Sequence, residues 1–134
     1  MSTPIVGTRH ETNLTVLLAD EDEKALENLG AVLQGLGHDV TPFAVSVAEA
    51  TELIVREDPD LTIVVVHHDD DHALALIAEA VETASGPVIA HLRGRDDVDF
   101  VARAAEHGIS AYVESNDPQQ VQAAIGRASC RERV

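Results

Sequence analysis

The chain has 134 residues, a formal charge of −15, 45% apolar residues and only 2% aromatic ones. That is one domain's length with an aliphatic core, and so acidic a surface excludes nucleic-acid and anionic-membrane binding, which need a basic face. A single cysteine, Cys130, rules out an internal disulfide and suits a reducing cytoplasm, and no apolar run approaches the roughly 20 residues of a membrane span.

Residues 1–13 are polar, lack periodicity and read as a disordered leader. LTVLLA, from Leu14, is a short continuous apolar run, the mark of a strand buried on both faces. Leu26, Leu29, Leu33 and Leu36 then recur at spacings of three and four, a helical stripe that Gly35 and Gly37 bring to an end. DVTPF is a weaker strand, and Pro42 suits an edge or a strand end. In SVAEATELIVRE, Ser46 with Glu49 three residues on forms a capping box ahead of Ala50, Leu53 and Ile54. LTIVVV is the clearest strand, because β-branched side chains in such a run disfavour a helix. Leu74, Ile77, Ala78 and Val81 give another helical face. PVIAHL reads as a strand, and DVDFVARAAEHG as a helix with Phe100, Val101 and Ala104 inward and Gly108 closing it. ISAYV is the last strand. The final helix opens with Asp117 as cap and Pro118 in its first position, then turns Val121, Ala124 and Ile125 inward. Past residue 128 the stripe is lost, and residues 129–134 read as a basic tail or linker remnant.

A strand and a helix thus alternate five times, which predicts a parallel sheet with helices on both faces. Right-handed crossovers favour a flavodoxin-like α/β sandwich over residues 14–128, with strand order 2-1-3-4-5. Function in such a fold sits at the carboxyl ends of the strands. That gathers residues 19–22, 65–71, 91–93 and 114–116 around one crevice. No G-x-G-x-x-G or G-x-x-x-x-G-K-[ST] motif follows a strand, so dinucleotide and P-loop readings fall away.

These segments resemble the receiver domain of bacterial two-component response regulators. LTVLLADED is similar to the family's first strand and acidic pair, with Asp20 and Glu21 in the magnesium-binding positions. DPDLTIVVV resembles its third strand, GPVIAHL its fourth and HGISAYVES its fifth, and together these segments fall within residues 14–128. The resemblance implies an aspartyl acceptor, a hydroxyl after strand four and a lysine after strand five. Magnesium would offset the repulsion between the carboxylate and the incoming phosphoryl group.

Counting through the chain gives other groups. The acceptor of the pattern P-D-x-x-x-x-D lies six residues past the proline, and six past Pro59 is Val65. Leu92 stands at the hydroxyl position and Ser115 at the lysine position, and Tyr112 resembles the switch aromatic of strand five. Of the phosphotransfer set the acidic pair alone remains, and Asp20 with Glu21 would hold magnesium only weakly without a third carboxylate. A bulge would have to carry Asp69, Asp70 or Asp71 into the acceptor position, yet Asp69 lies about 13 Å of extended chain past Val65. Ala73-Leu74-Ala75-Leu76 also falls in register with the family's third helix, without an insertion.

The loop HHDDDH, residues 67–72, admits a solvated capping reading, a metal-binding reading and a regulatory pH or partner contact. Asp70 or Asp71 would cap the following helix and meet the positive end of its dipole. Alternatively His67, His68 and Asp69, reinforced by His91 or the acidic pair, would bind zinc or nickel and make the chain a metal- or ligand-sensing domain. His10, His38 and His107, in the leader or at helix ends, read as exposed polar residues, and Arg93 and Arg95 as a surface pair beside the crevice. No nucleophile with a neighbouring base is readable, so an enzyme is not expected. The expectation is a cytoplasmic signalling module without aspartyl phosphorylation. It would meet a protein partner, an output domain or a second copy through helix four, strand five and helix five, over residues 98–107, 110–113 and 118–127.

Overall fold

The computed structural model describes residues 14–19, 23–40, 46–66, 70–92, 98–114 and 117–133, with 23–26, 47, 70 and 129–133 described by their backbone alone. The strands are β1 (Thr15–Ala19), β2 (Asp39–Val40), β3 (Leu61–Val66), β4 (Val88–Leu92) and β5 (Ala111–Val113). The helices are α1 (Glu23–Gly35), α2 (Val47–Glu57), α3 (Asp70–Thr83), α4 (Val98–His107) and α5 (Pro118–Arg133). All neighbouring strands run parallel in the order β2-β1-β3-β4-β5. This is the expected flavodoxin-like arrangement, with the short β2 on the edge.

Strand periodicity sorts the core into two layers. Leu61, Ile63 and Val65 of β3 face α1 and α5, where they meet Leu29, Leu33, Val121, Ala124 and Ile125. Val64 and Val66 face the other way, toward Ala50 and Ile54 of α2, Leu76 and Ile77 of α3 and Phe100 of α4. Every residue of β3 is buried, as a continuous β-branched run requires. Each aliphatic side chain so buried contributes about 1.5–3 kcal/mol relative to exposure.

The predicted helix boundaries rest on visible chemistry. Ser46, in extended conformation, accepts the Glu49 N–H on its side-chain oxygen at 3.2 Å, so it caps the start of α2. Asp117 Oδ1 accepts the Gln119 N–H at 3.2 Å in the same way ahead of α5. Gly37 and Gly108, after α1 and α4, take φ of 96° and 108°, a region open to glycine.

Three expectations need correction. α3 packs against both α2 and α4, so it buries Ala73, Leu76 and Ala80 besides Leu74 and Ile77, a wider face than one stripe. α5 does not end at residue 128: its backbone stays helical through Arg133, in keeping with the helix-forming Ala and Arg of ASCRER. His38 is buried, not exposed. The leader, residues 1–13, and Pro42 lie outside the described residues.

Candidate functional site

Parallel pairing aligns side chains into rows across the sheet, each row facing one layer. Val65 of β3 is in register with His91 of β4, and His91 with Val113 of β5. This row closes the carboxyl end of the sheet on the α1–α5 side, and both valines belong to that core layer. Val65 is 1% exposed and His91 2%. Val66 pairs with Leu92, and Ala19, Val64, Ala90 and Tyr112 form the next row, whose first three members lie in the α2–α4 core layer. The strand ends under the expected crevice are therefore hydrocarbon, with one imidazole set between two valines.

The residues singled out in the sequence divide sharply. Val65, Leu92 and Ala19 are all buried at the strand ends, Val65 on the α1–α5 side and the other two on the α2–α4 side. Asp20, Glu21, His67, His68, Asp69, Arg93, Arg95 and Ser115 lie outside the described residues. Asp70 and Asp71 stand in the first turn of α3, not ahead of it as caps. The Asp71 carboxylate still suits the helix dipole. Asp71 reaches Arg103 of α4 at 4.0 Å with both side chains well exposed, a contact worth little. Among the described residues no group of three or more His, Cys, Asp or Glu side chains converges as a metal site would require.

Tyr112 is 42% exposed, on the edge strand between α4 and α5. On its α5 side lies a cleft of about 410 Å³ lined by Val113, Glu114, Gln120, Ala123 and Arg127. On its α4 side a second cleft of about 300 Å³ is lined by Val101, Ala105, Ile109, Ser110 and Ala111, again with Arg127. The Arg127 guanidinium donates to the Tyr112 carbonyl at 3.3 Å and so caps the outer edge of β5 from α5.

Comparison with solved structures decides the fold. The signal receiver domain of an HD domain-containing protein from Pseudomonas fluorescens Pf-5 superposes with a TM-score of 0.73 at 25% identity, over 89% of this chain and 96% of that one. A response regulator receiver domain protein from Clostridium thermocellum matches with a TM-score of 0.73 at 22% identity, over 89% and 96% of the two chains. A response regulator from Burkholderia pseudomallei, solved with a phosphorylated aspartic acid, a calcium ion and citrate, matches with a TM-score of 0.72 at 20% identity, over 89% and 71%. The chain has the receiver-domain fold. No protein-family model matches it, and no curated protein matches it by sequence.

In a receiver fold the ends of β1, β3, β4 and β5 form the floor of the crevice. Here the described floor residues, Ala19, Val65, Val66 and Leu92, offer no side-chain oxygen. Hard oxygen ligands for a magnesium ion would have to come from Asp20 and Glu21, which lie outside the described residues. Of the histidines in the stretch 67–72, His72 is half-buried in the first turn of α3 and His67 and His68 lie outside the described residues, while His91 is buried one strand away from Val65. Among the described residues no helix is long and apolar enough to cross a membrane.

Proposed function

We propose that the chain is an atypical receiver domain, a cytoplasmic signalling and protein-interaction module that works without aspartyl phosphorylation. The observation that carries this reading is Val65. It stands six residues past Pro59, where the receiver pattern places its acceptor, and it is packed into the aliphatic core with His91 and Val113 in its row. The Burkholderia pseudomallei structure holds a phosphorylated aspartic acid, whereas a valine side chain has no oxygen to phosphorylate. Leu92, fully buried against Phe100 and the α3 side chains, supplies no hydroxyl to follow a phosphoryl group. The reading assigns the chain no catalytic role and no obligate metal.

Its working surface would be the face formed by α4, β5 and α5. Val98 and Tyr112 are the large apolar residues exposed there, and the two clefts beside Tyr112 give an apolar partner somewhere to anchor. An output domain, a separate protein or a second copy of the chain would each meet it without a phosphate trigger.

The test is intact-protein mass after incubation with acetyl phosphate and magnesium. No phosphoryl adduct is expected under conditions that label an ordinary receiver. A hydroxylamine-labile adduct mapped to Asp69, Asp70 or Asp71 would overturn the reading in favour of a displaced acceptor.

A further inference from the structure

His38 lies between the end of α1 and the start of β2, and it is 3% exposed. Both of its ring nitrogens are engaged across long stretches of chain. The Leu14 N–H donates to Nδ1 at 3.1 Å, and Nε2 lies 3.0 Å from Oε1 of Gln122 on α5. The first contact decides the second. A backbone N–H only donates, so Nδ1 carries a lone pair, the ring proton sits on Nε2, and Nε2–H donates to Gln122. The Asp39 N–H donates to the Leu14 carbonyl at 2.8 Å and the His38 N–H to the Leu33 carbonyl at 3.1 Å. One neutral tautomer therefore joins the entry to β1, the end of α1, the edge strand β2 and the second turn of α5.

We infer that His38 is a proton-sensitive latch holding α5 against the β1–β2 edge of the sheet. A proton added at Nδ1 sets one N–H against another, so the bond from Leu14 is lost and its amide faces a donor. The charge also arises in a buried position. The charged side chains described on the surrounding elements include Glu27 on α1, Asp39 on β2, Asp60 ahead of β3 with its carboxylate on the Thr15 N–H, and Arg127 on α5 with Asp117 at its cap. All are exposed, and none bonds to the ring. The ring's own side-chain partner, Oε1 of Gln122, is a neutral acceptor, which offsets a buried imidazolium less than a carboxylate would. The sign follows: the latch is closed while the imidazole is neutral and opens as pH falls far enough to charge it. Gln122 also lines a groove with Leu36, Pro118, Gln119 and Ala123, so opening alters the surface where α1 and α5 meet. The latch does not depend on how the carboxyl end of the sheet is used, and a phosphorylated receiver would have it equally.

The experiment is an NMR titration of the whole chain from about pH 8 to about pH 5, the range over which histidine is the responsive side chain. It follows the His38 ring nitrogens, the Leu14 amide, the Gln122 carboxamide and hydrogen exchange along α5. At the alkaline end Nδ1 should show the signature of an unprotonated ring nitrogen. The Leu14 and Gln122 signals should then move with the same midpoint as His38. Protection of the α5 amides, corrected for intrinsic exchange rates, should fall about tenfold more than that of β3, as expected for loss of a buried hydrogen bond. His38→Asn, whose Oδ1 can accept the Leu14 N–H but does not titrate, should keep that protection flat. The same fall in His38→Asn would overturn the latch. So would a His38 that titrates without moving Leu14 and Gln122, or one that stays neutral to about pH 5. Should His38→Asn not fold, the midpoints in the unaltered chain still decide.

Discussion

The two ends of the parallel sheet are built from different materials. At the amino-terminal end, polar groups tie strands to one another. The Asp60 carboxylate accepts the Thr15 N–H at 2.9 Å while the Asp60 N–H donates to the Thr15 carbonyl at 2.8 Å. Ser85 donates to Asp58 Oδ1 at 2.9 Å, and His38 links Leu14 to Gln122. At the carboxyl-terminal end, where this fold keeps its chemistry, the described strand ends are Ala19, Val65, Val66, Leu92 and Val113, with His91 the lone polar side chain among them. The difference teaches that polar pairing here serves registration of the strands. The described strand ends at the carboxyl side belong to the core.

The largest effect is expected from placing a carboxylate on the floor. Val65→Asp places an ionisable group where Leu18, Ile63 and the α1–α5 layer now exclude water, and it should cost about 3–4 kcal/mol at neutral pH. The pH dependence has a definite sign. An aspartate in the unfolded chain ionises near about pH 4, while burial favours its neutral form in the folded one. Above that pH the unfolded state binds fewer protons than the folded state, so stability falls as pH rises. Urea midpoints of the variant relative to the parent should be closest at about pH 4 and diverge toward about pH 7. Equal midpoints at neutral pH would show that the floor is wet, and the comparison would fail.

How much of this was legible beforehand depended on whether the signal was local. LTIVVV announced a doubly buried strand by composition, Ser46 with Glu49 announced the start of α2, and Asp117-Pro118 that of α5. The count from Pro59 to Val65 needed only an ungapped strand. His38 could not be read in this way. A histidine between a glycine and an aspartate at a helix end looks solvated, and its partner Gln122 is 84 residues away. Leu76 was missed for a related reason. One helical stripe suffices for a helix with one neighbour, but α3 has two. The unbroken apolar character of ALALIA was the available sign. The loops carrying Asp20, Glu21, His67–Asp69 and Ser115 lie outside the described residues, so their chemistry stays where the sequence left it.

A milder perturbation tests the registered end. Gly86 precedes β4, and a Cβ built there would overlap the Asp60 carbonyl, a backbone group that cannot swing away. The close approach matters because Asp60 fixes the start of β3 against Thr15 of β1. Gly86→Ala should therefore destabilise by about 2–3 kcal/mol through overpacking. The loss should appear in amide exchange first at Thr15 and Asp60, ahead of the Val65 row. A uniform loss along β3 would mean that the two ends of the sheet do not respond separately.

The smallest expected effect has the opposite sign. Thr62 belongs to the Leu17–Val88 row, near the polar end of the sheet, and is 1% exposed. Its Oγ1 has no hydrogen-bond partner among the described residues, so this hydroxyl has been taken from water without replacement. It is a polar group that ties nothing together, an exception to the way its end of the sheet is built. Valine has nearly the same shape, keeps the β-branch that the strand favours, and removes the unsatisfied group. Thr62→Val should raise stability by about 1 kcal/mol, since an unpaired buried hydroxyl costs more than an apolar isostere in its place. Chemical denaturation reads the gain directly, as a higher urea midpoint at unchanged slope. A loss of similar size would show that Oγ1 is paired after all, and that the polar organisation of the amino-terminal end reaches one row deeper into the sheet than Thr15 and Asp60.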